Sequence, residues 1–481
     1  MAGKLARLFG AQDMTVGSPV TRLVEFSIPL LIGNLAQQLY NTVDSIVVGQ
    51  YVGDEALAAV GASGPILNLL LVLFIGISVG AGIMVSQYFG AKQRELLSNT
   101  VGTVITLTLL SSVFIMIVGP LLTRPMMSML STPDAIFEMA CTYMNIVFIG
   151  IAGNAFYNIL SGVLRGLGDS TMPLVFLLLA CGLNIVLDIL FVAQFHWGVA
   201  GVAIATIIAQ TISAVCCLVR LGKMKDVLTM GLHTMKLRRD LVVQLTKLGL
   251  PSGISQAIFS MAALVVQSLT NSFGTVVIAC STVVMRVDGF AMMPNFTFGT
   301  AMTTFAGQNI GAGKVERVEE GTRDGMRIGL IVSVILVICI LVFGGPLMHL
   351  FTGTQEVIDL GVRMMRILAV GYIAMAVTQT LSGVMRGAGD TMTPMWISLV
   401  TTVIIRVPIA YGLAFLTRSE QNPVGSPDSL YISLLVSWVL GALITVFFYR
   451  RGKWRQKAIV TGAAADAPSQ EETEEHKEPA E

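Results

Sequence analysis

The chain has 481 residues, 54% of them hydrophobic and only 12% charged, with a formal net charge of +1 and a mean hydropathy of +0.77. Soluble globular domains carry about 25% charged residues, so these proportions exclude a water-soluble globule and make lipid the solvent. Neither a nucleic acid nor an obligatory protein partner is expected.

The first twenty residues show no basic, apolar, small-residue order of a secretory leader, and residues 1–21, with Lys4, Arg7 and Asp13, read as a polar cytoplasmic segment. Apolar runs of ~20 residues then recur, the length a helix needs to cross ~30 Å of hydrocarbon. Six such spans are predicted to begin near residues 22, 55, 98, 134, 171 and 198, forming an N-lobe over 22–221. A basic linker follows at 222–243. Six more spans, beginning near 244, 275, 319, 356, 391 and 430, form a C-lobe over 244–450. Residues 451–481, rich in Glu after Asp466, are expected to be a disordered cytoplasmic tail. The fold class is therefore an all-α membrane protein of twelve transmembrane helices in two pseudo-symmetric six-helix bundles.

The pseudo-symmetry is written in the chain. LSGVLRGLGDSTMP at 160–173 recurs as LSGVMRGAGDTMTP at 381–394, with nine of fourteen positions identical and an offset of 221. The same offset aligns QYFGA at Gln87 with QNIGA at Gln308, and RPMMSML at Arg124 with GPLMHLF at Gly345. A duplication this long in a chain this apolar points to a transporter whose halves enclose a central cavity. The repeated R-G-x-G-D runs, at Arg165 and Arg386, read as tight turns with glycine at a helix C-terminus.

Lysine and arginine fall on one side: Lys92, Arg94, Arg165, the 220–247 cluster, Lys314, Arg317, Arg323, Arg327 and Arg386, against only Arg124 and Arg418 opposite. The positive-inside rule then puts both termini in the cytoplasm of a multi-pass protein of the cell membrane. All six cysteines, Cys141, Cys181, Cys216, Cys217, Cys280 and Cys339, lie in apolar segments and read as core residues; no disulfide or structural metal is expected.

Ionisable groups inside the spans cost at least ~2.5 kcal/mol each on insertion scales, so each asks for a role. Asn34, Gln37, Asn41 and Asp44 fall on one ~80° stripe of span 1. Asn184 and Asp188 share a face of span 5. Asp44 and Asp188 lie at matching depths below the outer surface, and two carboxylates meeting in low dielectric cannot both stay ionised cheaply. Such a pair exchanges a proton, or holds Na⁺ together with amide and hydroxyl oxygens. Thr206 in span 6 offers a hydroxyl at similar depth. In the other half the excess is positive, with Arg286 and Asp288 in span 8, Arg363 and Arg366 in span 10 and Arg406 in span 11. Asn34, Gln37, Asn41, Arg286 and Asp288 are the expected lining of a substrate cavity, Arg406 is a partner for Asp288, and Asp359 forms an intrahelical cluster with Arg363 and Arg366. Pro29 removes a backbone hydrogen bond from span 1 and marks a hinge.

Together with DMTVGSPVTRLVEFSIPLLIGNLAQQLYNTVDSIVVG, EALAAVGASGPI, SQYFGAK, LNIVLDILFV and GVAGVAIATIIAQ, these features resemble the bacterial multidrug and toxic compound extrusion (MATE) family over nearly all of residues 13–450. The resemblance implies a V-shaped pair of six-helix lobes and export of organic compounds by antiport against H⁺ or Na⁺. It further implies an N-lobe ion-coupling network of Asp44, Asn184, Asp188 and Thr206. It departs at 251–269, where span 7 has no carboxylate, so no C-lobe ion site is expected. The C-lobe arginines leave anionic or zwitterionic cargo open, and a lipid-linked precursor flippase of the same superfamily is the alternative. An enzyme is not expected: the four histidines lie in loops, near helix ends or in the tail. With no G-x-x-x-x-G-K-[ST] loop, ATP-driven pumping is not expected, and an ion gradient is the expected energy source, with no cofactor.

Overall fold

In lipid a spanning segment must satisfy its backbone internally, which for a single run means a helix. The computed structural model describes residues 12–231, 233–420 and 423–460, and among these there is no strand. Residues 1–11 of the polar N-terminal segment and 461–481 of the acidic tail lie outside the described residues.

Span 1, Pro19–Val47, is prolonged by a π-helical turn at Val48–Val52. Spans 2 and 3 are Asp54–Gly90 and Arg94–Met129. Span 4 is a pair, Asp134–Ile149 and Ile151–Gly166, bent by 53°. Span 5 runs Thr171–Gln194 with a π-helical end at Ile189–Gln194, and span 6 is Gly198–Lys223. The second lobe repeats the plan with Arg239–Ser272, Thr275–Gly311, Val315–His349 and Gln355–Gly387 as spans 7 to 10. Span 11, Met392–Leu416, is π-helical over Val400–Ile405, and span 12 is Asp428–Arg450. Ten of these helices are individually long and apolar enough to cross a membrane, and the bent pair makes an eleventh. Span 1, with 29 residues, is long enough, at about 44 Å, but its polar stripe dilutes its hydropathy.

Spans 2 and 8 form the centre. Each has 37 residues, and they are displaced by the repeat's own offset. Span 1 packs on span 8, and span 7 on span 2, so each lobe lends its first two spans to the interface. Small residues permit this: a Cβ on Gly80 would lie 2.8 Å from the Leu245 carbonyl oxygen, and one on Gly249 would lie 2.5 Å from that of Gly76. Each lobe has its own apolar core. A further cluster of Met14, Leu23, Phe26, Phe298, Met302, Phe305 and Trp454 seals the seam between lobes at the face that carries the termini.

Three expectations are corrected here. The 222–243 linker is shorter, because span 7 starts at Arg239, and it is a packed strap: the Thr103 and Thr106 hydroxyls donate to the Lys236 and Met235 carbonyls, and the Thr229 N–H donates to Ser98. Residues 451–460 of the tail are ordered, with a 3-10 turn at Lys453–Gln456 whose Trp454 is buried against the seam and stacked on Tyr449. Its apolar ring outweighed the charged residues around it. Arg363 pairs with Asp428 at the start of span 12, while Asp359 accepts from Gln355.

Candidate functional site

Asp44, the last polar residue of the span 1 stripe before the π-helical turn, is carried toward span 5 by the packing of those two spans. Its carboxyl group meets that of Asp188 side chain to side chain inside the N-lobe. Each acid is followed by a π-helical turn, Val48–Val52 or Ile189–Gln194, and the two turns touch. Such turns frequently mark functional positions in helices.

Asn184 sits one turn before Asp188. With its amide nitrogen toward the acid it donates to Asp188 Oδ2 at 2.9 Å, while its oxygen accepts from the Thr206 N–H at 3.2 Å. The Thr206 hydroxyl lies 3.4 Å from that amide group and 3.5 Å from the Tyr40 hydroxyl. Asp44 and Asp188 each keep one buried oxygen, Oδ1, with no hydrogen-bond partner. The structure thus brings Asp44, Asn184, Asp188 and Thr206 into one cluster. It adds Tyr40 and Tyr143, both buried beside the acids. Tyr40 is one helical turn from Asp44, a spacing visible in the sequence; Tyr143, on span 4, has no such signal. Next to them a cavity of about 120 Å³ is lined by Thr206, Tyr143, Asn154, Gln210 and apolar side chains of spans 2 and 4.

A second cavity, about 730 Å³, opens between the lobes on the face opposite the termini. Asn41, Thr42, Ser45, Gln50 and Asp54 line it from the N-lobe and Arg286 lines it from the C-lobe. Gln37 donates to Asn41 at 3.3 Å on the same helical face. Asn34 is placed differently, donating across the interface to Thr297 on span 8 at 2.8 Å. Asp288, two residues from Arg286 and therefore on another face of span 8, is not part of this lining; it lies within the C-lobe near the Tyr372 hydroxyl and the Arg406 guanidinium. Asp288 Oδ1, Tyr372 Oη and Arg406 Nε are each buried without a hydrogen-bond partner. Pro29 is buried in the middle of span 1, a helix unbroken from Pro19 to Val47.

Two equivalent six-span lobes, sealed at one face and parted by a polar cavity at the other, define a membrane transporter. The MatE family profile matches the chain twice, at residues 29–190 and 251–412, once per lobe. The chain belongs to the MATE family; it is a transporter and not an enzyme. It is 30% identical over 443 residues to the probable multidrug resistance protein YoeA of Bacillus subtilis (strain 168), covering 90% of this chain and 94% of that one. Among solved structures it superposes with TM-score 0.85 and 25% identity on an outward-facing conformation of a multidrug resistance MATE family transporter of the MOP superfamily, over 93% of this chain and 99% of that one. A MOP superfamily transporter from Pyrococcus furiosus Vc1 (DSM3638), described as having a binding pocket of reverse polarity that suggests a different function, matches with TM-score 0.84 and 25% identity over the same shares.

Proposed function

We propose that this transporter is a cation-coupled antiporter of the plasma membrane that exports amphipathic organic compounds, with both termini in the cytoplasm. The basic loops all belong to the terminus-bearing face, which supports that orientation; the cavity then opens outward. The observation that carries the coupling is the meeting of Asp44 and Asp188. Two carboxyl groups in contact in a low dielectric need a shared proton or a bound cation between them. The donor set favours the proton. A hard cation such as Na⁺ wants a shell of oxygens, and here the Asn184 amide directs its nitrogen at Asp188 while its oxygen is engaged by the Thr206 N–H. Loss of the shared proton leaves two like charges facing one another. A shift of span 1, which lacks a backbone hydrogen bond at Pro29, relieves them and alters the wall of the cargo cavity that Asn41 and Ser45 form on the same helix.

Efflux from proteoliposomes under an imposed pH gradient or an imposed Na⁺ gradient tests this. Proton-driven efflux that is lost in Asp44→Asn and in Asp188→Asn, with both variants still inserting, is the expected result. Efflux that survives both substitutions would sink the mechanism, and efflux driven by Na⁺ alone would replace the proton.

Arg286 favours a narrower cargo. It is the cavity's one cation among the lining residues and Asp54, from the other lobe, its one acid, and neither forms an ion pair among the described residues. A dipolar amphipath, with an acidic group toward Arg286 and a basic one toward Asp54, fits these walls. A rhodamine free acid should then bind more tightly than its methyl ester, and Arg286→Gln should erase the difference. Equal binding of the two by the parent protein would refute the assignment.

A further inference from the structure

Four hydrogen bonds join the lobes at the terminus-bearing face as two copies of one arrangement. Gln87 Nε2 donates to the Gly387 carbonyl at 2.8 Å, and Gln87 Oε1 accepts from the Ile459 N–H at 2.8 Å. Gln308 Nε2 donates to the Gly166 carbonyl at 3.0 Å, and Gln308 Oε1 accepts from the Met14 N–H at 2.9 Å. Gln87 and Gln308, like Gly166 and Gly387, are separated by the 221-residue offset of the duplication. In every bond the donor and acceptor belong to opposite lobes, because Met14 leads into span 1 and Ile459 follows span 12. Both glutamine side chains are fully buried, so each amide has exchanged water for these partners.

We propose that Gln87 and Gln308 are a two-fold latch that holds the terminus-bearing face shut, and that the segments flanking the twelve spans, residues 12–17 and 453–460, are its clasps. Parting the lobes on that face breaks all four bonds together, and loosening either clasp weakens the latch on one side. The inference rests on the antiport proposed above, which needs the lobes to part on each face in turn, not on which ion drives it.

The seats of the clasps are also duplicated. Gly168 (φ +85°) and Gly389 (φ +98°) stand at equivalent positions of the R-G-x-G-D turns. A Cβ at Gly168 would lie 2.1 Å from the Gln12 carbonyl oxygen, and one at Gly389 would lie 2.5 Å from that of Lys457. Only glycine allows both the left-handed turn and the strap lying against it. The N-terminal clasp is held to the C-lobe again by Arg317, which donates to the Gly17 carbonyl at 2.7 Å, and by Lys314, which donates to that of Thr15 at 3.0 Å. The C-terminal clasp is anchored by buried Trp454, in the same seam cluster as Met14 and Phe26. The repeated turns, whose sequence alone suggested only local structure, thus acquire a role in the transport cycle.

Spin labels at Glu95→Cys and Glu316→Cys read the latch. These are exposed, equivalent positions in the first turns of spans 3 and 9, placed in the full chain after its six native cysteines are replaced. Electron–electron distance measurements in lipid nanodiscs should show one short population for the parent. Gln87→Ala and Gln308→Ala should each raise the ratio of parted to shut molecules about thirtyfold, and together about a thousandfold, as expected for losing two net hydrogen bonds of about 1 kcal/mol per glutamine. Ile459→Pro and Met14→Pro remove a single N–H each and should shift the ratio the same way by less. They leave both glutamines in place and decide the question if the double variant does not fold. An unchanged distance distribution in the double variant would overturn the latch. Unchanged distributions in both proline variants beside a shift in the glutamine variants would overturn the clasps. Distances are read without a gradient, so a failure of ion coupling would leave this result standing.

Discussion

Gly311→Ala is the sharpest single perturbation of the sealed face. An added Cβ would lie 2.0 Å from the Gln87 carbonyl oxygen, and at the equivalent position, Gly90, 1.9 Å from that of Gln308; ordinary contacts begin near 3.4 Å. The obstacle is backbone in both cases, so no rotamer change relieves it, and the helices must separate by about 1.4 Å. Hydrogen bonds of 2.8 to 3.0 Å then stretch past their useful range. Four such bonds cross the seam, each worth about 1 kcal/mol net, so the substitution should disfavour the sealed state by about 4 kcal/mol, roughly a thousandfold in population. Helix propensity acts in the opposite direction, since alanine is favoured over glycine by about 0.5–1 kcal/mol. The sign therefore discriminates. Gly182→Ala and Gly289→Ala, where nothing lies within 4 Å of the added Cβ, should leave the seam shut and raise the unfolding midpoint slightly. Alkylation of Ser86→Cys, which faces Gly307 across the seam, by a membrane-impermeant maleimide from the terminus-bearing side would report the change in the cysteine-free background. Labelling in Gly311→Ala no faster than in the Gly182→Ala control would refute the argument.

Thr206→Ala should slow gradient-driven efflux about tenfold, the scale of one lost hydrogen bond, whereas Thr206→Ser, which keeps the hydroxyl, should remain near the parent rate; equal rates would remove Thr206 from the coupling cluster. Asp169→Ala removes a fully buried carboxylate that pairs with Arg220 at 2.9 Å and accepts from the Met172 N–H; losing these bonds costs about 1–3 kcal/mol, and thermal unfolding in detergent should show a clear drop. Arg363→Ala should change the same midpoint little, because that arginine is 66% exposed and exposed pairs contribute about 0–1 kcal/mol. A comparable drop in both variants would overturn the ranking by burial.

The spans were legible because a bilayer permits so few solutions. Twelve apolar runs became twelve spans, including the bent span 4 and the π-bulged spans 5 and 11, and span 1 was found despite its polar stripe because its length and the six-plus-six symmetry agree with it. Asp44 and Asp188 could be paired on depth alone, since rise per residue is fixed in a helix. Composition misled where a single large side chain decided the outcome: the residues after Tyr449 read as charged and solvated, yet Trp454 found an apolar seam to enter. Tyr143 was hidden for a different reason. Its nearness to the acids comes from the bend in span 4, where Gly150 lets Ile207 approach so closely that an added Cβ would lie 2.3 Å from it, and no periodicity in the sequence encodes that angle.

The duplication treats its two tasks differently. Where the lobes must close on one another, the halves remain interchangeable: Gln87 and Gln308, Gly90 and Gly311, and Gly166 and Gly387 stand 221 residues apart and meet across the seam. A seal between two equivalent bodies is strongest when both contribute the same surface, as in any isologous contact. Inside the lobes the halves have parted. Span 5 carries Asp188 beside a π-helical turn, whereas span 11, its counterpart, carries Arg406 beside its own. The position equivalent to Asp188 is Ile409, so span 11 has no carboxylate there, and the nearby Arg406 guanidinium keeps its proton throughout. On the coupling proposed above, the change begins at Asp44 and Asp188 in the N-lobe and reaches the C-lobe through the seam. On that proposal the latch is the place where a change begun at Asp44 and Asp188 is delivered.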